Sequence, residues 1–276
     1  MGAYLRPRGL EEALQALTRP YTVLAGGTDF YPARVGRAVT EDVLDIAGIA
    51  ALRGISETSA GWRLGATTTW SELVEADLPP MFDGLKQAAR EVGGRQIQNS
   101  GTIAGNICNA SPAADGVPAL LALDAEVELA SRDGARRLPL ASFITGVRTT
   151  ARQPEELVVA LHVPRPWAEA RSAFLKLGAR RYLVISIAMA STLVEVEDGK
   201  VKAARVAVGA CSPVAQRLPA LEQALVGATV DAHLGERVAP SHLAPLSPID
   251  DVRGSAGYRH EVAVVLLRRL LSKVAA

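Results

Sequence analysis

The chain has 276 residues, of which 49% are hydrophobic and 21% charged, and its formal net charge is +1. This hydrophobic fraction excludes a wholly disordered protein, and the length accommodates two or three structural modules. The near-neutral charge and an aromatic content of 4% argue against a dedicated nucleic-acid-binding protein.

The sequence contains two cysteines, Cys108 and Cys211. A cysteine-ligated iron–sulfur cluster needs about four thiolates, so this chain cannot hold one by itself. The four histidines are too far apart for a short metal-ligand motif, so no metal site is predicted. The N-terminus lacks the apolar region of a signal peptide, and no apolar run approaches the ~18 residues of a membrane span. We therefore expect a cytoplasmic protein.

The first predicted module covers residues 1–54. A helix is predicted over residues 10–17, where apolar residues recur on one face. Strands are predicted over residues 21–25 and 42–46, and the glycine-bearing segment between them is predicted to be a loop.

The second predicted module covers residues 55–166. Thr69 and Glu72 have the spacing of a capping box, which predicts a helix ending near Ala76. The polar, glycine-spaced residues 94–116 are predicted to form a long functional loop. Other elements are predicted from apolar patterning and turn residues: a strand at 62–66, helices at 85–92 and 119–123, a hairpin around 132–134 and a strand at 155–164.

The third predicted module covers residues 167–276 and follows a proline-containing linker at residues 164–171. A strand is predicted over residues 172–178, and a long hairpin is predicted around the turn Asp198-Gly199. Helices are predicted at 217–226 and 255–274. Because strands and helices are segregated along the chain, the fold class is predicted to be α+β.

Two glycine-bearing segments could bind an anion. Residues 25–30 read AGGTDF and residues 100–106 read SGTIAGN, and neither contains Lys or Arg. Any phosphate there would be bound by main-chain N–H groups, although each segment taken alone could be an ordinary turn or connecting loop. The sequence lacks GxGxxG after a strand and lacks GxxxxGK[ST], so a Rossmann site and a P-loop are not indicated. Together, the two segments suggest a diphosphate bound between two lobes.

Two charged residues have alternative interpretations. Asp115 follows Ser111-Pro112, which resembles a helix start, so Asp115 could cap a first turn or accept hydrogen bonds from ligand hydroxyls. Lys176 lies in an otherwise apolar strand, where its side chain could face solvent or point at a ligand.

Several motifs, in this order, resemble the FAD-binding medium subunit of the molybdenum hydroxylases. They are LAGGTD, SGTIAGNICNASPAAD followed by PALLALDA, SAFLKLGARR and the C-terminal SAGYRHEVAVVLLRRLL, and they extend over nearly the whole chain. The family includes xanthine dehydrogenases, carbon monoxide dehydrogenases and aldehyde oxidoreductases. The resemblance implies a two-lobed FAD-binding domain of the PCMH-like type, followed by a C-terminal α+β domain.

The resemblance also implies which residues bind FAD. They are Val23, Leu24, Ala25, Gly26, Gly27, Thr28, Asp29, Phe30, Thr102, Ile103, Ala104, Gly105, Asn106, Asp115, Val158 and Lys176. The family commonly has glycine at the position of Ala104. Neither glycine-bearing segment contains His, so FAD is expected to be bound non-covalently. No residue is expected to act as a catalytic acid, base or nucleophile.

The resemblance implies an oxidoreductase subunit in a dimer of heterotrimers, that is, a heterohexamer. A large subunit would hold molybdopterin, and a small subunit would pass electrons from its [2Fe–2S] clusters to FAD on this chain. The electrons would then go to NAD, oxygen or a quinone. One alternative is a self-contained flavin-dependent reductase of the same broad fold, and another is a flavin-free scaffold subunit.

Overall fold

The structure of the protein is a computed structural model that describes residues 2–166 and 168–275. A small parallel sheet forms the first lobe. The strand order is β1-β3-β2, so the two outer strands both pair with the last strand of the lobe. Helix α1 packs beside this sheet and carries Glu11 and Glu12 in its first turn, where carboxylates favour the helix dipole. The elements are β1 (Tyr4–Leu5), α1 (Leu10–Ala16), β2 (Thr22–Leu24) and β3 (Val43–Asp45). The predicted helix and strands are confirmed.

The second lobe is built on an antiparallel sheet with the order β4-β5-β10-β6-β7. Its strands are β4 (Ile55–Thr58), β5 (Gly61–Gly65), β6 (Glu126–Ser131), β7 (Gly134–Pro139) and β10 (Leu157–Pro164). A short hairpin of β8 (Ile144–Gly146) and β9 (Thr149–Thr150) lies beside it. The central strand β10 has a bulge between Val158 and Ala160. The hairpin predicted around residues 132–134 is confirmed.

Six helices belong to the second lobe, and two of them, α3 and α6, also contact strands of the C-terminal domain. They are α2 (Trp70–Glu75), α3 (Asp83–Glu91), α4 (Arg95–Ser100), α5 (Ile103–Asn109), α6 (Gly116–Ala122) and α7 (Leu140–Phe143). The predicted capping box is present, because the Thr69 side chain accepts from the Glu72 amide while the Glu72 carboxylate accepts from the Thr69 amide.

The prediction of a long loop over residues 94–116 was wrong. Helices α4 and α5 occupy most of this stretch, and Thr102 caps α5 by accepting a hydrogen bond from the Gly105 amide at 3.0 Å. The predicted helix start at Ser111-Pro112 was also wrong, since α6 begins at Gly116. Short helices with one buried face lack enough turns to show a clear period in the sequence.

The C-terminal domain has an antiparallel sheet of order β11-β12-β13-β14 covered by two helices. Its elements are β11 (Glu169–Leu177), β12 (Ala188–Glu197), β13 (Lys200–Gly209), β14 (Gln216–Arg217), α8 (Pro219–Leu225) and α9 (Ala256–Ala275). The predicted turn is confirmed, with Asp198 at φ 50° and Gly199 at φ 71°, as a tight hairpin turn requires. Since β11 begins at Glu169, the predicted linker is shorter than expected, and Trp167 within it lies outside the described residues.

Short 3₁₀ helices lie at Pro32–Arg34, Ala50–Leu52, Pro80–Phe82, Leu234–Arg237 and Pro240–Leu243.

The lobes and the C-terminal domain share apolar contacts. The core of the second lobe includes Phe174 and Met189 of the C-terminal sheet, and the core of the first lobe includes Leu157 and Val159 of β10. The fold class is therefore α+β, as predicted. Among residues 2–166 and 168–275, no helix combines the length and apolarity needed to cross a bilayer.

Candidate functional site

The two glycine-bearing segments meet in the structure. A Cβ atom built on Gly26 would overlap the carbonyl oxygen of Ser100 and would lie 3.0 Å from the Cα atom of Gly101. The obstructing atoms are backbone atoms at the end of α4, which cannot rotate away as a side chain would. Gly26 therefore allows the loop after β2 to lie directly against the turn between α4 and α5.

The residues after Gly26 fit this close approach. Gly27 has a φ of 70°, in the left-handed region that favours glycine, and a Cβ there would lie 2.6 Å from the Tyr31 ring. The Thr28 hydroxyl oxygen would lie 3.5 Å from a Cβ on Gly101, so this polar group also sits where the segments meet.

Backbone N–H groups of the first segment are available to a ligand. Within residues 2–166 and 168–275, the amides of residues 26–30 donate no hydrogen bond, whereas the carbonyls of Gly27 and Asp29 accept from Tyr31 and Ala33. Buried or half-buried backbone donors are normally paired in proteins. A run of unpaired amides beside a glycine with positive φ is typical of an anion-binding turn.

Most backbone amides of the second segment already donate hydrogen bonds within the protein. The amides of Ile103 and Ala104 donate to the carbonyls of Thr68 and Ala66 at 2.9 and 3.3 Å, and Gly105 donates to Thr102. These bonds fasten α5 to the end of β5. Ala104 lies inside α5, so alanine at this position causes no backbone strain.

One buried polar atom at this site has no partner. The side-chain oxygen of Asn106 makes no hydrogen bond in the described part of the chain, and it would lie 3.0 Å from a Cβ on Gly116. The same hypothetical Cβ would lie 2.5 Å from the Trp70 ring, whose opposite end would lie 3.3 Å from a Cβ on Gly101. An unpaired buried amide oxygen is uncommon, and a ligand hydroxyl or N–H could satisfy it.

Side-chain contacts hold the first segment to the second lobe, and the sequence did not indicate these contacts. Asp29 accepts hydrogen bonds from Asn109 and Arg148, each at 3.3 Å, and Arg148 also donates to Asn109. Asp29 and Arg148 are separated by 119 residues, and no spacing or periodicity in the sequence relates them. Since both side chains are about half exposed, the pair adds little stability and mainly fixes position.

The structure places Asp115 and Lys176 together, and the sequence interpretations did not include this arrangement. The Lys176 Nζ lies 2.7 Å from Asp115 Oδ2, and the side chains are 6% and 9% exposed. Ser186 donates to the other carboxylate oxygen at 2.6 Å. Burial raises the pKa of the Asp115 carboxyl, while the Lys176 ammonium and the Ser186 hydroxyl act in the opposite direction. Asp115 does not cap α6 with its side chain.

The remaining predicted residues lie on β10, on β2 and in the first segment. Val158 is buried in the core of the second lobe and adjoins Val159, whose carbonyl accepts from the Ala66 amide. Val23 and Leu24 belong to β2, which leads into the first segment, and Leu24 is buried. Ala25 and Phe30 begin and end that segment, and Arg34 stacks on the Phe30 ring at 3.8 Å.

The residues at this site fit a flavin dinucleotide. Unpaired amides and the Thr28 hydroxyl would suit a diphosphate, and the orphaned Asn106 oxygen would suit a hydroxyl or ring N–H donor. Backbone amides at a tight turn bind phosphate oxygens without any Lys or Arg.

Comparisons with known proteins identify the family of the chain. Residues 1–166 match the family described as the FAD binding domain in molybdopterin dehydrogenase, and residues 173–274 match the CO dehydrogenase flavoprotein C-terminal domain. The chain is 29% identical to the xanthine dehydrogenase FAD-binding subunit of Escherichia coli O157:H7, covering 99% of this chain and 96% of that protein. It is 30% identical to the carbon monoxide dehydrogenase medium chain of Afipia carboxidovorans, covering 99% and 96%.

A solved structure also matches over almost its whole length. The reconstituted CO dehydrogenase from Oligotropha carboxidovorans contains a chain that superposes with a TM-score of 0.90 at 28% identity, covering 100% of this chain and 98% of that one. The chain therefore belongs to the family of FAD-binding subunits of molybdopterin dehydrogenases, and it is a flavoprotein subunit of an oxidoreductase.

Proposed function

We propose that this chain binds FAD between residues 25–30 and residues 102–106, with the diphosphate held by the unpaired amides of Gly26, Gly27 and Thr28. The close approach of Gly26 to Ser100 carries this proposal, because it brings the two segments into one site. Thr102 shapes the second segment by capping α5, while Ile103, Ala104 and Gly105 fasten that segment to β5 and to the cap. The dinucleotide is bound non-covalently.

The rest of the predicted site surrounds these segments. The buried side chains of Val158 and Leu24 exclude water from the region, and the unpaired side-chain oxygen of Asn106 accepts a hydrogen bond from the ligand. Excluding water strengthens every amide–phosphate interaction, because the local dielectric constant is low. Asp29 holds the first segment in place through Asn109 and Arg148.

We further propose that the chain is an electron relay in a multi-subunit molybdenum hydroxylase. FAD, when bound, supplies one- and two-electron redox chemistry, and the protein supplies position and electrostatics. Electrons come from the [2Fe–2S] clusters of a small partner subunit and pass to NAD, oxygen or a quinone, while a large subunit holds molybdopterin. The assembly is a cytoplasmic dimer of heterotrimers with domain boundaries near residues 54 and 166. Two cysteines do not suffice for a cluster on this chain, which is why the clusters are assigned to a partner.

FAD titration of three purified proteins tests the site. In Gly26→Ala, the new Cβ must displace backbone at Ser100, so we expect the FAD dissociation constant to rise at least about tenfold, or ~1.4 kcal/mol. Gly257→Ala is the matched control, because a Cβ there meets no atom within 4 Å, and its affinity should equal that of the wild type. Equal affinity in all three proteins would contradict the proposed site.

Purification from the native source tests the relay. A relay subunit should copurify with a larger molybdenum-containing chain and a smaller iron–sulfur chain, and its flavin should be reduced when substrate is added to the complex. A self-contained reductase would purify alone with bound flavin. A scaffold subunit would copurify with partners but remain colourless after FAD is added.

A further inference from the structure

A cavity of about 500 Å³ lies at one end of the second-lobe sheet. Its lining includes Trp62 near the start of β5 and His162 near the end of the antiparallel neighbour β10. The second FAD segment lies at the other end of β5, where the Ala104 amide donates to the Ala66 carbonyl. A strand of five residues spans roughly 16 Å, at ~3.3 Å per residue, so the cavity is separate from the proposed FAD site.

Both domains contribute to the wall of this cavity. Arg217 of the C-terminal domain lines it together with Leu121 and Asp124, which lie at the end of α6 and just after it. The Arg217 side chain donates to Asp124 at 2.6 Å and to the Leu121 carbonyl at 3.1 Å. Two further hydrogen bonds from Arg217 go to Glu222. These contacts fix the wall without any ligand, and ligand sites are common where domains meet. We call this space the interdomain cavity.

Apolar side chains form much of the lining. Trp62, Leu140 and Val163 line the cavity and are each at most 6% exposed. The Trp62 ring also packs edge-to-face against Phe82, with ring centroids 5.2 Å apart. A ligand that fills the interdomain cavity therefore needs an apolar part.

Two side chains of opposite charge in the lining make no hydrogen bond in the described part of the chain. Arg137 on β7 lies 3.9 Å from Glu128, which is too far for a hydrogen bond, and His162 already contacts Glu128 at 2.5 Å. The exposed side chain of Glu126 on β6 has no hydrogen bond or ion pair among residues 2–166 and 168–275. The guanidinium of Arg137 and the carboxylate of Glu126 are therefore available to a ligand.

The strand register fixes the spacing of these two charges. Glu126 lies opposite Pro139, which is two residues along β7 from Arg137. Glu126 and Arg137 are therefore diagonal neighbours on one face of the sheet, about 7–8 Å apart. A free α-amino acid carries an ammonium and a carboxylate on one carbon atom, so it can bridge this spacing with a hydrogen bond at each end. A simple anion or a simple cation would leave one of the two side chains without a partner.

We propose that the interdomain cavity binds a free α-amino acid with an apolar side chain. Its carboxylate accepts hydrogen bonds from Arg137, since a guanidinium suits a carboxylate, and its ammonium donates to Glu126. Its side chain packs against Trp62 and Leu140. This site goes beyond the proposed FAD site and does not depend on it.

Isothermal titration calorimetry of the full chain with three related compounds tests the ligand class. They are L-phenylalanine, 3-phenylpropionate, which lacks the ammonium, and 2-phenylethylamine, which lacks the carboxylate. L-phenylalanine should bind saturably with a dissociation constant of about 1 mM or lower, as expected for a ligand of this size. Each analogue should bind about tenfold more weakly, because one charged side chain then loses its partner.

Two variants assign the roles of the charged residues. In Arg137→Gln, L-phenylalanine should bind about tenfold more weakly and no better than 2-phenylethylamine, because its carboxylate no longer has a partner. In Glu126→Gln, it should bind no better than 3-phenylpropionate. Arg132→Gln and Glu155→Gln are the matched controls, since both residues are exposed and lie outside the lining, and they should leave the affinity unchanged.

Several results would overturn the proposal. They are the absence of saturable L-phenylalanine binding, equal affinities for the three compounds, and an affinity for L-phenylalanine that is unchanged in Arg137→Gln and Glu126→Gln. Competition between L-phenylalanine and FAD would also overturn it, because it would place the amino acid in the FAD site. A chain that binds L-phenylalanine as expected but fails to bind FAD would contradict only the proposed FAD site.

Discussion

Gly26 lies so close to Ser100 that a Cβ atom on Gly26 would overlap the Ser100 carbonyl oxygen. The loop after β2 and the turn between α4 and α5 are therefore packed backbone to backbone. This contact joins the first lobe to the second beside the unpaired amides of Gly26, Gly27 and Thr28 and near the Thr28 hydroxyl.

Gly27 gives a prediction that differs from the one for Gly26. In Gly27→Ala the new Cβ meets the Tyr31 ring, which is a side chain and can move, although the positive φ remains unfavourable. We expect weaker FAD binding and partial recovery in Gly27→Ala/Tyr31→Ala. Tyr31→Ala should not rescue Gly26→Ala, where the obstruction is backbone. FAD titration of the four variants checks this, and equal rescue of both would contradict the geometry.

The capping box of α2 should contribute measurably to stability. Thr69→Ala removes the hydroxyl that accepts from the Glu72 amide and bonds the Glu72 carboxylate at 3.0 Å. We expect the free energy of unfolding to fall by ~1 kcal/mol in a urea titration, as for other N-cap replacements. Thr69→Ser keeps the oxygen and should retain most of the stability. A loss as large in Thr69→Ser would show that the cap is not the cause.

Glu156 should make the stability depend on pH. Two hydrogen bonds from Arg136, at 2.6 and 2.9 Å, hold the pKa of the Glu156 carboxyl below its usual range. Because the pKa is lower in the folded state, this stabilisation is present above the unfolded-state pKa and is lost as the pH falls through the folded-state pKa.

Glu156→Gln should therefore lower the free energy of unfolding by ~1 kcal/mol at neutral pH, and the difference from the wild type should shrink in acid. Denaturant unfolding at a series of pH values measures this difference. Glu155→Gln is the control, since Glu155 is exposed, and it should change little. A difference for Glu156→Gln that stays constant with pH would argue against the ion pair as its source.

Helix α9 offers a paired test of core packing in the C-terminal domain. Leu267 is fully buried against the sheet, whereas Val265 on the same helix is 45% exposed. Leu267→Ala should lower the free energy of unfolding by ~2–5 kcal/mol through the lost contacts and the cavity left behind, and Val265→Ala should cost far less. Similar losses for both variants, measured by denaturant unfolding, would contradict the placement of α9.

Long or strongly patterned elements could be predicted from the sequence. Helix α9 has twenty residues with an apolar face, and the β12–β13 hairpin turns at Asp-Gly, so both signals are local. Helices α4 and α5 were missed because each is only a turn or two long and lies in a glycine-spaced, polar stretch. Helix α5 is stabilised by the Thr102 cap and by hydrogen bonds to the residues that follow β5, which no local pattern shows.

The site could be predicted only in part for a related reason. The two glycine-bearing segments were visible because glycine and hydroxyl residues cluster in the sequence. The Lys176–Asp115 pair was not visible, since its members are 61 residues apart and each has a plausible local role. The same holds for Arg148, whose partner Asp29 lies in another lobe. Tertiary packing decides such pairings, and no local pattern records them.

A crystal structure of the chain with bound FAD would test the central claim most directly. The account predicts that the diphosphate oxygens lie within hydrogen-bonding distance of the amides of Gly26, Gly27 and Thr28, beside the turn that ends at Thr102. A dinucleotide bound elsewhere, or a diphosphate held by side-chain cations with those amides still unpaired, would contradict it.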